Sequence, residues 1–159
     1  MFFRSKQPTQ PPACSIVAVE RQITAAIKCN VPLSRIPDAE RSLRKTLNAL
    51  LPSLDTGTLG REVTLWRTPV QGQIYLEPGI VVAHAFEPED YIICSELPAG
   101  RAAHYRFVGP TDRLPAAWQT IFEWCTKEKL RLAGVNWHIY GERAADPAQQ
   151  QTFLYALLA

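Results

Sequence analysis

Leu97 to Glu142 reads LPAGRAAHYRFVGPTDRLPAAWQTIFEWCTKEKLRLAGVNWHIYGE, and the reading of this stretch decides the fold. Arg101–Val108 has the composition of a strand, and Gly109-Pro110 breaks it. Thr111 or Asp112 is placed to cap the next element. In that element Leu114, Trp118, Ile121, Phe122 and Cys125 fall on one helical face. Gly134 is expected to end the helical region, and Val135–Gly141 reads as a returning strand. Outward from there, Tyr91–Glu96 precedes as a strand across Pro98-Ala99-Gly100. Asp146-Pro147 marks a turn before a terminal strand, Thr152–Leu158.

The first half of the chain carries the same order. Ser15 to Val31 is rich in Ile, Val and Thr around a polar Glu20-Arg21-Gln22, which predicts a long or bulged strand. Pro37-Asp38 opens a helix whose apolar stripe is Leu43, Leu47, Leu50, Leu51 and Leu54. Pro52 limits it, and Thr56-Gly57 ends the element. Glu62–Thr68 is a predicted strand and Pro69-Val70-Gln71-Gly72 a turn. Gln73–Leu76 and Ile80–His84 read as two pieces of a broken strand. The element order β-helix-β-β therefore occurs twice, and that is the internal repeat. Two such units join their strands in one antiparallel sheet with both helices on one side, an α+β architecture closing around a central groove.

Composition narrows the function classes. With 159 residues, 47% hydrophobic and 20% charged, the chain has enough apolar content for a core of its own. The net charge of +2 is spread among interspersed acids and bases, without the basic stripe of a nucleic-acid-binding surface. Arg41, Arg44 and Lys45 cluster on a helix with Asp38 and Glu40, the pattern of a solvated face. Cys14, Cys29, Cys94 and Cys125 form no C-x-x-C pair. His84 and His104 have no ligand spacing either, so no metal or cofactor is expected. No run approaches the ~20 apolar residues that span a bilayer, and no secretory signal is visible, which places the chain in the cytoplasm. Residues 1–13, with Pro8, Pro11 and Pro12, read as a flexible leader before a single domain over 14–159.

The order Leu97-Pro98-Ala99-Gly100-Arg101, Gly109-Pro110, Leu114, Ala117-Trp118, Ile121 and Trp124, followed by Trp137-His138-Ile139-Tyr140 and a terminal Thr152-Phe153-Leu154-Tyr155-Ala156-Leu157-Leu158, resembles the GyrI-like family. These are the effector-binding domains of AraC-type and multidrug-responsive bacterial regulators, found also as stand-alone modules. The likeness spans about residues 14–159 and is dense from Leu97 onward. The first half fits by element order, with Leu65-Trp66 where the family usually has an apolar-Tyr pair. The resemblance implies βαββ repeats related by a pseudo-twofold axis. It also implies a groove between the helices for amphipathic, aromatic small molecules, cations among them. The family commonly carries Glu-x-Tyr on the penultimate strand with the acid facing the groove. Here Tyr140 keeps the tyrosine and His138 stands at the acid's position.

Alternation sends His138, Tyr140 and Glu142 to one face of that strand, and Trp137 and Ile139 to the other. Tyr140 would give the groove an aromatic wall. His138 reads either as a hydrogen-bonding groove residue, which if protonated favours an anion, or as a structural histidine. Trp66 is the expected counterpart of Tyr140 across the pseudo-twofold, or else core, and Tyr75 would share its groove. Trp118 and Phe122 lie at i and i+4 on the second helix, on a stripe that is mostly core; one or two of its rings would face ligand, Trp118 first among them. Trp124 is offset, toward the rim. Glu142 is the candidate replacement for the missing acid, or a solvent-facing residue beside Arg143; Glu77 and Glu87 are further candidates.

The ligand-binding set is thus Trp66, Tyr75, Trp118, Phe122, His138, Tyr140 and Glu142, with no catalytic set assigned. The leading function is sensing or sequestration of an amphipathic small molecule. Alternatives are hydrolysis of reactive small molecules such as cyclopropanoids, with His138 titrating near neutral pH, or inhibition of a protein partner. The double repeat leaves no room for a DNA-reading domain. Direct nucleic-acid or membrane contact is therefore not expected, and a separate regulator or a second copy of the chain is the macromolecular partner anticipated.

Overall fold

A computed structural model describes residues 13–159; the leader expected over residues 1–13 lies, but for its last residue, outside the described residues. The strands are β1 (Ser15–Val19), β2 (Gln22–Ala26), β3 (Cys29–Pro32), β4 (Leu59–Arg67), β5 (Gln73–Val82), β6 (Ile93–Leu97), β7 (Gly100–Val108), β8 (Leu132–Tyr140) and β9 (Gln151–Leu158). The helices are α1 (Ile36–Leu50) and α2 (Leu114–Lys127). All nine strands belong to one antiparallel sheet in which β4 and β8 are the central pair. The α+β architecture read from the element order is the one observed.

The central register fixes the symmetry. Thr64 of β4 faces His138 of β8, and Trp66 and Tyr140 each lie two residues beyond that pair on their own strand. From the centre, β5 and β9 flank, and each repeat adds its helix. The helices begin alike. A 3-10 turn leads into each, over Leu33–Arg35 and Thr111–Arg113, and Arg35 and Arg113 stand before them with φ,ψ of −101°, 2° and −95°, 3°. Pro37 and Pro115 lie in the first turn, where a missing N–H costs nothing. Neither helix has a side-chain cap, so Thr111 and Asp112 do not play that role; the 3-10 turn supplies the lead-in instead. Aligning Arg35-Ile36-Pro37 with Arg113-Leu114-Pro115 pairs Glu40 with Trp118 and Arg44 with Phe122.

The long first strand is realised as a ribbon that crosses between the halves. β1 pairs with β7 and β2 with β6, and the register runs on through the break, from Val19 facing Gly100 to Gln22 facing Leu97. The ribbon thus joins β9 through β7 and β5 through β2, curling the sheet around a second core of Val63, Leu65, Leu97, Ala102 and Trp137. On the opposite face, α1 and the 3-10 turn that follows it bury Leu47 and Leu51 against Ala25, Ile27, Ile80 and Val82. There too α2 buries Leu114, Trp118, Ile121 and Cys125 against Ala103, Leu154 and Ala156. Both helices therefore cover one face.

Two boundaries differ from expectation. β5 is continuous through Pro78, because its neighbour changes there: β3 pairs as far as Leu76 and β2 from Gly79. Pro78 needs no ladder donor at that handover, and its carbonyl accepts from Ile27 N–H at 3.1 Å. Gly79 allows the close approach, since a Cβ would stand 2.8 Å from the Ala25 carbonyl oxygen. Gly134 does not end α2, which stops at Lys127; it lies in β8 with φ of 86°, where the register to β9 shifts between Leu132 and Asn136. The β4–β5 turn is as read, with Gln71 and Gly72 both at positive φ in a tight hairpin.

Candidate functional site

The floor of the candidate groove is the helix-facing side of β4 and β8. Alternation brings Thr64 and Trp66 of β4, and His138 and Tyr140 of β8, to this side beneath the helices. The edge of Trp66 meets the Trp118 ring at 5.0 Å and the Phe122 ring at 5.9 Å, while Trp118 and Phe122 stack at 5.5 Å. Trp66 and Phe122 retain part of their surface, whereas Trp118 is buried. A shallow, mainly apolar depression of about 680 Å³ lies along α2 itself, lined by helix residues from Pro115 to Lys127 that include Trp118 and Phe122.

His138 joins this aromatic end to the other. Its ring lies 6.0 Å from Trp118 and 5.0 Å from Tyr140, and Nε2 is 3.0 Å from the Tyr140 hydroxyl. Burial, and after it the charge of Arg44, pushes the imidazole down to about 3, so His138 is neutral at physiological pH. Of the two readings of His138, the buried, hydrogen-bonded position fits the structural histidine, and burial works against both the protonated, anion-favouring form and titration near neutrality. Burial and then Glu40 raise the Tyr140 phenol to about 12, so it stays protonated. Among the described residues, His138 Nδ1 and Thr152 Oγ1 are buried without a hydrogen-bond partner. Both are on the groove side, since Thr152 faces Tyr140 across β8 and β9. Such atoms are costly to leave unpaired, by about 1–3 kcal/mol each, and mark the floor as polar in need of a partner.

Beneath α1 the groove is charged. Arg44 donates through Nη2 to Glu40 Oε1 at 3.0 Å and to the Val63 carbonyl at 2.7 Å, and through Nη1 to the Gly79 carbonyl at 2.9 Å. Thr64 Oγ1 donates to the same Glu40 oxygen at 2.8 Å. Glu62 stands 3.6 Å from Nη1, and the guanidinium carbon lies 5.7 Å from the Tyr140 ring centre. The Arg44 side chain is only 15% exposed and that of Glu40 22%. A solvated face was expected here; Arg44 instead folds inward because β4 and β5 offer it carbonyl oxygens.

The structure thus brings together Trp66, Trp118, Phe122, His138 and Tyr140. Tyr75 is not with them. Leu76 is the residue that faces Trp66 across β4 and β5, so Tyr75 points to the ribbon side, where its hydroxyl donates to Glu77 and Arg67 lies over its ring. Glu77 goes with it. Glu142 lies past the end of β8, 86% exposed and 3.8 Å from Arg61, and Glu87 is exposed in the loop after β5. Trp124 packs at the edge of the α2 core. The residues that the sequence reading missed are Glu40 and Arg44. Their signal was available in the alignment of the two Arg-x-Pro helix starts, which sets them opposite Trp118 and Phe122. Among the described residues no cluster of metal-ligating side chains occurs, all four cysteines are free, and no helix is long and apolar enough to cross a membrane.

The sequence model of the GyrI-like small molecule binding domain matches residues 12–155. The chain belongs to this family. Its function is accordingly the binding of small molecules. A comparison with curated protein sequences gives no match. Among solved structures, the GyrI-like chain is similar to EcmrR in its DNA complex (TM-score 0.80, 17% identity, 93% of this chain and 57% of that one). It thus spans little more than half of that EcmrR chain. It is also similar to SAV2435 bound to tetraphenylphosphonium (TM-score 0.69, 9% identity, 92% and 94%). A hydrolase from Listeria innocua shares the fold as well (TM-score 0.58, 12% identity, 96% and 94%). At these identities the structural likeness speaks for the fold.

Proposed function

We propose that this GyrI-like domain binds flat, aromatic, amphipathic molecules at the α2 end of the groove, with their polar group directed toward His138 and Thr152. The observation that carries this reading is the arrangement of Trp66, Trp118 and Phe122. Rings that meet edge to face at 5.0 and 5.9 Å can be parted by a planar guest that replaces one aromatic contact with two. The unpaired His138 Nδ1 and Thr152 Oγ1 lie on the same floor and would gain a partner. Tetraphenylphosphonium in SAV2435 is a bulky aromatic guest of the same fold, which supports the class. The chemistry favours binding over hydrolysis, because burial makes His138, on which a hydrolytic reading depends, a weak base, and its Nε2 is already engaged by the Tyr140 hydroxyl.

Whether the domain senses or sequesters its guest depends on what it is joined to. The 57% coverage of EcmrR fits a module that serves a DNA-binding regulator, in the same chain or through a partner, and a cytoplasmic location goes with that role. The test is a thermal-shift series with neutral, cationic and anionic aromatics on the wild type and on Phe122→Ala. A ligand that binds only the folded state raises stability by about 2.7 kcal/mol at a hundredfold excess over Kd. Shifts in the wild type that vanish in Phe122→Ala are expected. Equal shifts in both proteins, or none in either, would refute the site.

A further inference from the structure

The pseudo-twofold places two half-grooves side by side, built from equivalent positions with different chemistry. In one, Trp66 meets Trp118 and Phe122. In the other, Tyr140 stands where Trp66 does, and Glu40 and Arg44 replace the two helix rings. We infer that the α1 half-groove is a cation site occupied by the protein's own Arg44, and that this residue sets the charge specificity of the domain by denying the site to cationic ligands.

The surroundings of the guanidinium are those of a cation receptor. The face of Tyr140 lies 5.7 Å beneath it. Glu40, Thr64 and the carbonyls of Val63 and Gly79 all present oxygen within 3.2 Å of its nitrogens, and Glu62 closes the outer side at 3.6 Å. An ion pair that served only to tie α1 to the sheet would need Glu40 and the carbonyls. The aromatic face and the second carboxylate go beyond that, and the ring is the one related by symmetry to the ligand-facing Trp66. An aromatic face with desolvated carboxylates attracts any flat organic cation. Because Arg44 is tethered, its effective concentration exceeds that of a free cation, and it holds the place. Glu40 is thereby neutralised.

This inference deepens the small-molecule reading and rests on the groove being a binding site, but its test can fail separately. Arg44→Ala empties the cage, and ethylguanidinium, which has no aromatic part, probes it. Millimolar ethylguanidinium should raise the melting temperature of Arg44→Ala clearly more than that of the wild type, and Glu40→Gln in the same chain should abolish the gain. The ratio of benzamidinium to benzamide affinity, by calorimetry, should rise about tenfold on removing Arg44, within the range of a desolvated cation–π contact. If Arg44→Ala does not fold, Arg44→Gln, which keeps the first part of the stem and a polar end while removing the guanidinium, carries the same readouts. A folded variant with neither rescue by ethylguanidinium nor a changed ratio would overturn the inference. Failure of all aromatic ligands, with rescue intact, would refute only the aromatic half.

Discussion

The two half-grooves start from one backbone plan and end with opposite solutions. Under α2, positions 118 and 122 carry rings that bury area and bring no charge that must be paired. Under α1, positions 40 and 44 carry a carboxylate and a guanidinium that must satisfy each other and recruit Thr64, Val63 and Gly79 to do so. The lesson is that duplication fixes where side chains point, and the side chains decide what the place is for. An apolar wall remains available to a guest because its contacts are non-directional and exchangeable. A hydrogen-bonded ion pair is committed, because removing either partner leaves the other stranded.

The largest break in this comparison should come from the aromatic side. Trp118→Ala removes a buried ring that touches Trp66, Phe122 and His138, and large-to-small substitutions of this kind cost about 3–5 kcal/mol. Urea unfolding should show that loss as a lowered midpoint with an unchanged slope. The symmetry-related Glu40→Gln should cost less, roughly 2–3 kcal/mol, because Glu62 remains near Arg44 and both groups keep some solvent. Replacing the pair together sharpens the contrast. A double Glu40→Met, Arg44→Met variant should recover most of the loss, since a paired charge in a protein interior is near break-even against apolar packing. If the double variant is as unstable as the single one, the α1 half is not the committed ion pair described here.

How much of this was legible in the chain depends on which periodicities are local. Trp118 and Phe122 are neighbours by the i,i+4 rule, and His138 and Tyr140 share a face by strand alternation, so each pair lies together as read; but α2 buries Trp118, the ring expected to be open, and leaves Phe122 partly exposed instead. Trp66 fell opposite Tyr140 because the repeat in element order was visible. Tyr75 went wrong because its face depends on the β4–β5 register, which sets Leu76 against Trp66; nothing within β5 states it. Of the two readings of Glu142, the solvent-facing one is realised, because the strand ends two residues earlier, at Tyr140. Arg44 was read by charge pattern along α1, a local property, while its partners Val63 and Gly79 lie 19 and 35 residues away. The crossing ribbon of β1–β2 with β6–β7 is likewise a long-range pairing, and the sequence showed it only as a long strand with a polar interruption.

The smallest expected effect concerns the residue on the axis between the halves. His138 is held near a pKa of about 3 by burial and by Arg44, against an ordinary value near 6.5. The unfolded chain therefore binds a proton below pH ~6.5 that the folded protein refuses, and stability must fall as the pH drops from there toward about 3. Above that window the contribution is complete. The slope reaches about 1.4 kcal/mol per pH unit for one proton only well below pH ~6.5, so lowering the pH from 6.5 to 5 should cost less than about 2 kcal/mol. His104, also lowered by burial, adds a slope of its own, so the informative quantity is a difference between proteins. His138→Asn keeps a polar side chain on the floor and removes the titration. Urea midpoints measured at both pH values should fall less in the variant than in the wild type. In Arg44→Gln the wild-type slope should persist but begin at lower stability, because burial is the larger cause of the shift and Arg44 the smaller. Equal slopes in wild type and His138→Asn would mean that the imidazole reaches solvent, and the buried axis joining the two half-grooves would have to be abandoned.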